Sequence, residues 1–297
     1  MARKIKNTKS TEERQAEAAA LHALIVDQVE ILRDSEAWTR FLDFAQAFHR
    51  YSINNLLLIL AQKPHATHVA GYGTWQKLGR QVRKGEGGPN AIRIYGGRDI
   101  VTTEEDANTG EQKEQRRTRF FPVSVFDISQ TEAKDPEAEE PGTIARRLTG
   151  DDPLGIADAV TDYLTDRGWT VEREPIPGET NGYTTTDGTR RVVIDANLSP
   201  AQAAKTALHE AAHVIMHADQ DPAEIAQHRG IKETEAESVA YIVAGIHELD
   251  TSAYSIGYVA RWSNADAETI KETASRVLRT AHTLAEAITE PAQTEAA

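Results

Sequence analysis

Ser199-Pro200-Ala201-Gln202-Ala203-Ala204-Lys205-Thr206-Ala207-Leu208-His209-Glu210-Ala211-Ala212-His213-Val214-Ile215-Met216-His217 carries the most information in this 297-residue chain. Ser at the N-cap, Pro at the first helical position and Gln two residues after it open a helix. That helix is expected to run to about His217. Inside it lies an HExxH: two histidines four apart stand one turn apart on one face, so both imidazoles can reach one ion. Glu210 sits beside them, where it can take a proton from a water on that ion. The flanks, Ala203 to Leu208 and Val214 to Met216, are largely apolar, as a buried helix presenting one polar face requires. With no Cys in the chain, thiolate zinc sites, disulfides and Cys nucleophiles are excluded. Any metal must be held by His, Asp or Glu.

Two histidines leave a zinc ion short of a third protein ligand. The best donors lie in Glu233-Thr234-Glu235-Ala236-Glu237, at the start of a helix expected over about 233–249. Glu233 and Glu237 share a face and Glu235 points away. Glu233 is favoured as the ligand, with Glu237 orienting a ligand histidine by a hydrogen bond; the reverse order fits the spacing equally. His217 is two turns, about 12 Å, from His209 and reads as core or pocket lining, and His228 and His247 are weaker candidates. Zinc (Zn2+) lowers the pKa of its water to about 7, and Glu210 would serve as general base and then as proton shuttle to a leaving amine. Tyr258 or Arg261 would stabilise the oxyanion or else simply pack. The strand Arg191 to Asp195 would pair with an extended peptide.

Working outward, Tyr183–Thr186 and Thr189–Asp195 read as a hairpin about an Asp187-Gly188 turn. A strand at 169–174 and a helix at 154–167 precede it, and a last helix covers about 265–288. Residues 131–153 are rich in acid, Pro and Gly, the composition of a linker. Before them lie helices at 11–33, 36–49, 54–62 and 74–82, then strands at 91–95, 99–103 and 119–128. The fold class is therefore α+β in two domains, 11–130 and 154–290, joined by an acidic linker at 131–153.

Charge divides the same way. Residues 1–130 hold 19 Lys/Arg against 16 Asp/Glu, whereas 131–297 hold 14 against 30. From Thr74 to Arg98 six cations meet one acid, Glu86. A basic stretch interleaved with Trp75, containing Lys77, Arg80, Arg83 and Lys84, suits single-stranded DNA: cations track phosphates and aromatic faces stack bases. A solvated basic turn with Trp75 in the core accounts for the same composition. No apolar run approaches the roughly 20 residues of a membrane helix, and the basic N-terminus is followed by no signal-peptide core. A cytoplasmic protein with no membrane partner is expected.

Three N-terminal blocks, Tyr51-Ser52-Ile53-Asn54-Asn55-Leu56-Leu57, Gly71 to Gly85 and Val125-Phe126-Asp127-Ile128-Ser129-Gln130-Thr131, resemble the N-terminal domain of ArdC-type antirestriction proteins. The HEAAH together with ETEAESVAYIV resembles the ArdC metallopeptidase domain, similar in turn to the ImmA/IrrE zinc peptidases. The resemblance spans about residues 15–265. It implies a single-stranded-DNA-binding domain joined to a zincin of gluzincin-like type, in plasmid or mobile-element biology. The third ligand of gluzincins opens an ExxAD-like motif, which on Glu233 to Glu237 supports Glu233; this chain has Glu237 where that pattern has Asp. Two functions follow. The chain is a DNA-linked zinc endopeptidase acting on a cytoplasmic protein, or a non-enzymatic coat for single-stranded DNA whose metal is structural.

Overall fold

The computed structural model describes residues 10–105, 112–134, 152, 154–178, 180–218, 229–247, 249 and 266–289. The architecture is α+β. Its two compact units do not follow the chain in one cut: residues 1–28 and 54–140 make the first, 29–53 and 141–297 the second. Residues 29–53, grouped by sequence with the first domain, thus pack with the second unit.

The first unit contains most of α1 (Thr11–Ile31), α3 (Ile53–Gln62) and α4 (Tyr72–Lys77). Its strands are β1 (Val69–Ala70), β2 (Arg80–Val82), β3 (Ile92–Glu105), β4 (Gln112–Asp127) and β5 (Thr131–Ala133). The sheet order is β1-β4-β3, with β2 and β5 forming a separate antiparallel pair. The two short strands expected at 91–95 and 99–103 are one continuous β3, and β4 starts seven residues earlier than expected. The edge of β3 is covered by α3. Asn55 brackets the backbone of Tyr95, donating to its carbonyl at 2.9 Å and accepting from its N–H at 2.8 Å. Two turns on, Gln62 does the same for Arg93, with both bonds 2.8 Å. A sheet edge left unpaired is a template for aggregation, and these two amides close it.

At the far end of β4, Asp127 is buried and gathers three N–H groups, from Thr67, His68 and Ser129, while the Gln130 amide oxygen accepts from its own N–H. Burial pushes the Asp127 carboxyl up, but these donors outweigh it and hold it below its ordinary value. This knot turns the chain into β5, so residues 131–133, expected to open the linker, are strand. Residues 135–151, which carry most of that linker, lie outside the described residues.

The second unit holds α2 (Ser35–Phe48), α5 (Ile156–Thr165), β6 (Thr170–Glu174), β7 (Gly182–Thr184), β8 (Arg191–Asp195), α6 (Pro200–His217), α7 (Arg229–Ile246) and α8 (Ala267–Thr289). The β7–β8 hairpin forms as expected, and β6 joins β8 in parallel, giving the order β6-β8-β7. Ser199 caps α6 by accepting from the Gln202 N–H. The core gathers Val192 to Ile194, Ala204, Leu208, Ala211, Val239, Val243, Ile270, Val277 and Leu284, all nearly inaccessible. Trp38 and Phe41 on α2 are fully buried, and the Trp38 indole N–H donates to Ser238 Oγ on α7 at 3.1 Å.

Candidate metal centre

Small residues on α6 and α7 let the two helices approach closely: Ala204, Ala207, Ala211, Ala236 and Ala240 are buried to 1% exposure or less. That approach brings three ligand atoms together. His209 Nε2 and His213 Nε2 are 3.1 Å apart, and Glu233 Oε2 lies 3.5 Å from the first and 3.8 Å from the second. A tetrahedral ion with bonds of about 2.0–2.1 Å needs its ligands roughly 3.3 Å apart. The triangle fits such an ion, and His209, His213 and Glu233 form one group of possible metal donors among the described residues.

Glu237 occupies a different place. Its Oε2 lies 3.1 Å from His209 Nδ1, on the ring edge away from the triangle. Lys205 Nζ holds the other oxygen at 3.2 Å. With Nδ1–H donating to Glu237, the Nε2 lone pair of His209 is left facing His213 and Glu233. Burial disfavours charge on His209, yet Glu233 and Glu237 outweigh it and lift its pKa to about 9. The same imidazoles hold Glu233 far below the usual carboxylate range against the opposing effect of its burial. The group is thus built to hold positive charge.

Glu210 is buried on the side of α6 toward the sheet. Its Oε2 accepts a 2.7 Å hydrogen bond from Thr184 Oγ1 at the end of β7. This contact requires a close approach, and Gly182 provides it: a Cβ there would lie 2.6 Å from Thr206 Cγ2 and 2.9 Å from the Val193 carbonyl oxygen. A cleft of about 290 Å3 runs between β7 and α6, lined by Asn181, Gly182, Lys205, Glu210, His209 and Glu237 among others. Sequence reasoning missed Thr184 and Lys205. The Lys205 position, four before His209 on one helical face, was a usable signal; that of Thr184 was not.

The peptide-pairing role expected for Arg191 to Asp195 is incorrect, because β8 is the central strand and is paired on both sides. β7 is the edge strand beside Glu210. His217 is buried and stands outside the donor group. Burial first, then the cations around it, hold its pKa down to about 3. Glu235 does point away from the triangle, to Arg276 on α8 at 2.9 Å. Tyr258, Arg261 and His228 lie outside the described residues.

The expected DNA-binding set divides. Trp75 is 1% exposed, with its indole N–H on the Phe126 carbonyl at 2.9 Å and its ring against Ala91 and Phe126. No base can stack on it. Arg80 is 7% exposed and its Nε donates to Thr131 Oγ1 at 2.8 Å. Both corrections have one cause. The helix expected over 74–82 stops at Lys77, Gly79 at φ 73° reverses the chain, and Arg80 enters β2. Lys77, Arg83 and Lys84 are exposed.

Residues 17–126 match the N-terminal domain of anti-restriction factor ArdC, and residues 164–266 match the IrrE N-terminal-like domain of a peptidase family. An uncharacterized protein of Bacillus anthracis is 25% identical over 290 residues, covering 86% of this chain and 48% of that protein. The chain therefore spans about half the length of the curated relative it matches. Two crystal structures of the antirestriction ArdC protein from plasmid R388 are also similar. The metal-free one is 22% identical with a TM-score of 0.46, covering 80% of this chain and 85% of that one. The Mn(II)-bound one is 19% identical with a TM-score of 0.48, covering 81% and 86%.

Proposed function

We propose that this chain, with one segment matching the ArdC N-terminal domain and another matching an IrrE N-terminal-like domain, is an ArdC-type antirestriction protein: a zinc-dependent endopeptidase that binds single-stranded DNA through its first unit. The observation that carries the peptidase half is the donor triangle of His209, His213 and Glu233, one corner of which, His209, lines the same cleft as Glu210. These three residues would hold the ion. When bound, zinc supplies Lewis acidity, polarising a carbonyl and bringing the pKa of a water to about 7.

The remaining work falls to side chains. Glu210 accepts the proton of the attacking water at a carboxylate oxygen and returns it to the leaving amine. Thr184 holds that carboxylate in line with the cleft. Glu237, anchored by Lys205, fixes the tautomer of His209. The edge strand β7 offers backbone groups to an extended peptide, and the adjoining cleft takes its side chains.

The test uses the full chain, wild type beside Glu210→Gln, with zinc, oligo-dT and casein as a generic unfolded substrate. New peptide termini, read by mass spectrometry, should appear with the wild type only. About one zinc per chain with no Glu210-dependent cleavage, of casein or of a cell lysate, would reject the peptidase and leave a DNA coat with a structural metal.

A further inference from the structure

Helix α2 is joined to the second unit along a seam that changes character at its end. Trp38 reaches Ser238, the Tyr241 hydroxyl donates to Asp43, and the Gln46 side chain lies against Gly245, where it leaves no room for a Cβ. Beyond them three imidazoles gather. His49 is the C-cap of α2, His247 follows the last residue of α7, and His282 stands on α8. The His49 and His282 ring centroids are 5.8 Å apart, and His49 also acts electrostatically on His247.

Each ring has one nitrogen engaged. His49 Nδ1 donates to the Gln46 carbonyl at 3.2 Å, His247 bonds the Ala285 carbonyl, and His282 Nε2 lies 3.3 Å from Glu286 Oε1. The other nitrogens of His247 and His282, Nε2 and Nδ1, are shut off from solvent and meet no hydrogen-bond partner among the described residues. A neutral imidazole carries one N–H and one lone pair, an imidazolium two N–H groups. A proton on His247 Nε2 would create a buried, charged donor with nothing to accept from it, far more costly than a bare lone pair. A charge on His49 would face the His247 and His282 rings and Arg50, with the Glu286 carboxylate opposing them. Burial first, then His282 and Arg50, hold His49 below its ordinary value against the Gln46 carbonyl and Glu286. Burial and His49 do the same to His247 against the Ala285 carbonyl.

We propose that the end of α2 is an acid-released latch: neutral imidazoles close it onto α7 and α8, and protonation of His49 and His247 frees its C-terminal turns. Above about pH 6.5, the ordinary histidine value, the latch is closed. Below it the opened seam binds protons that the closed seam refuses, so opening gains on closure by up to about tenfold per histidine for each pH unit. The latch acts on residues 29–53, the stretch of the second unit that the chain places between two stretches of the first. It uses none of the metal donors and none of the expected DNA-binding residues, so it is independent of both halves of the function proposed above.

Amide exchange of the full-length protein, read on peptides by mass spectrometry at about pH 7.5 and 5.5 and corrected for the intrinsic pH dependence of exchange, tests it. Peptides covering the end of α2 should lose protection on acidification by roughly fivefold more than peptides of α6. Helix α6 carries His217 and so serves as the internal reference for acid effects elsewhere in the unit. His49→Gln with His247→Gln should cut that excess to less than about twofold, because glutamine keeps a polar side chain that does not titrate. If the double variant does not fold, as judged by circular dichroism, His49→Gln alone decides, and should reduce the excess by about twofold or more. An α2 end that loses no more protection than α6 overturns the latch. So does an excess that survives in the variant that decides.

Discussion

Which nitrogen of His209 keeps its proton decides how the donor group works. Nδ1 faces Glu237 and Nε2 faces His213 and Glu233, so one ring orientation gives the two carboxylates different places. Glu233→Gln should abolish tight zinc binding in a chelator competition. Glu237→Gln should weaken it about 10- to 100-fold, the usual cost of losing the partner that orients a ligand histidine. Glu210→Gln should leave zinc affinity within a few fold. Equal losses for Glu233 and Glu237 would mean that both ligate. Spacing alone made His209, Glu210 and His213 legible, because four residues are one helical turn. It could not separate Glu233 from Glu237, which share a face of α7; the orientation of one imidazole does that, and no sequence pattern encodes it. His217 gives a second prediction. Its pKa falls from 6.5 to about 3 on folding, so between those values the unfolded chain binds more protons. Stability is undiminished above about pH 6.5, falls as pH drops below it, and stops falling from this cause near pH 3. In metal-free protein, His217→Met should show a shallower loss between pH 6.5 and 4 by urea unfolding; an unchanged slope would sink the assignment.

Elements, unlike single residues, succeed or fail on what they pack against. The hairpin of β7 and β8 was legible because Asp187-Gly188 demands a turn and the flanking β-branched residues demand strands. That β7, not β8, would be the edge was not, since strand order is set by the parallel partner β6. Gly182 then acquires a role that only the packed element reveals. Gly182→Ala should force β7 away from α6 at a cost of about 1–3 kcal/mol, read as a lower urea midpoint with an unchanged m-value. It should also depress Glu210-dependent cleavage further than stability accounts for, because Thr184 withdraws with the strand. Full activity in a destabilised variant would show that the Thr184 contact does not position the base. The α4 segment teaches the converse. A cationic run around an aromatic has one composition whether the aromatic faces water or core, and Gly79 and the short α4 put Trp75 inside.

Across the whole molecule the chain is interleaved, and this was the least legible feature. The stripe of Trp38, Phe41, Phe44 and Phe48 states that α2 needs an apolar partner; it does not name which core supplies one. Charge composition, which changes near residue 130, suggests a single cut there, yet 29–53 belongs with the second unit. Ligand linkage makes this measurable. All three metal donors lie in the second unit, so zinc at about a thousand times its Kd should stabilise that unit by roughly 4 kcal/mol. Amide exchange should slow in α6 and α7 and also in α2, whose Trp38 is bonded to Ser238, while β3 and β4 keep their metal-free rates. Oligo-dT should do the reverse, protecting elements of the first unit but not α2. Exchange in α2 that follows DNA instead of zinc would return residues 29–53 to the N-terminal domain. Zinc protection reaching β3 and β4 in equal measure would mean that the two units open as one, and that metal and DNA are coupled through the stability of the whole chain.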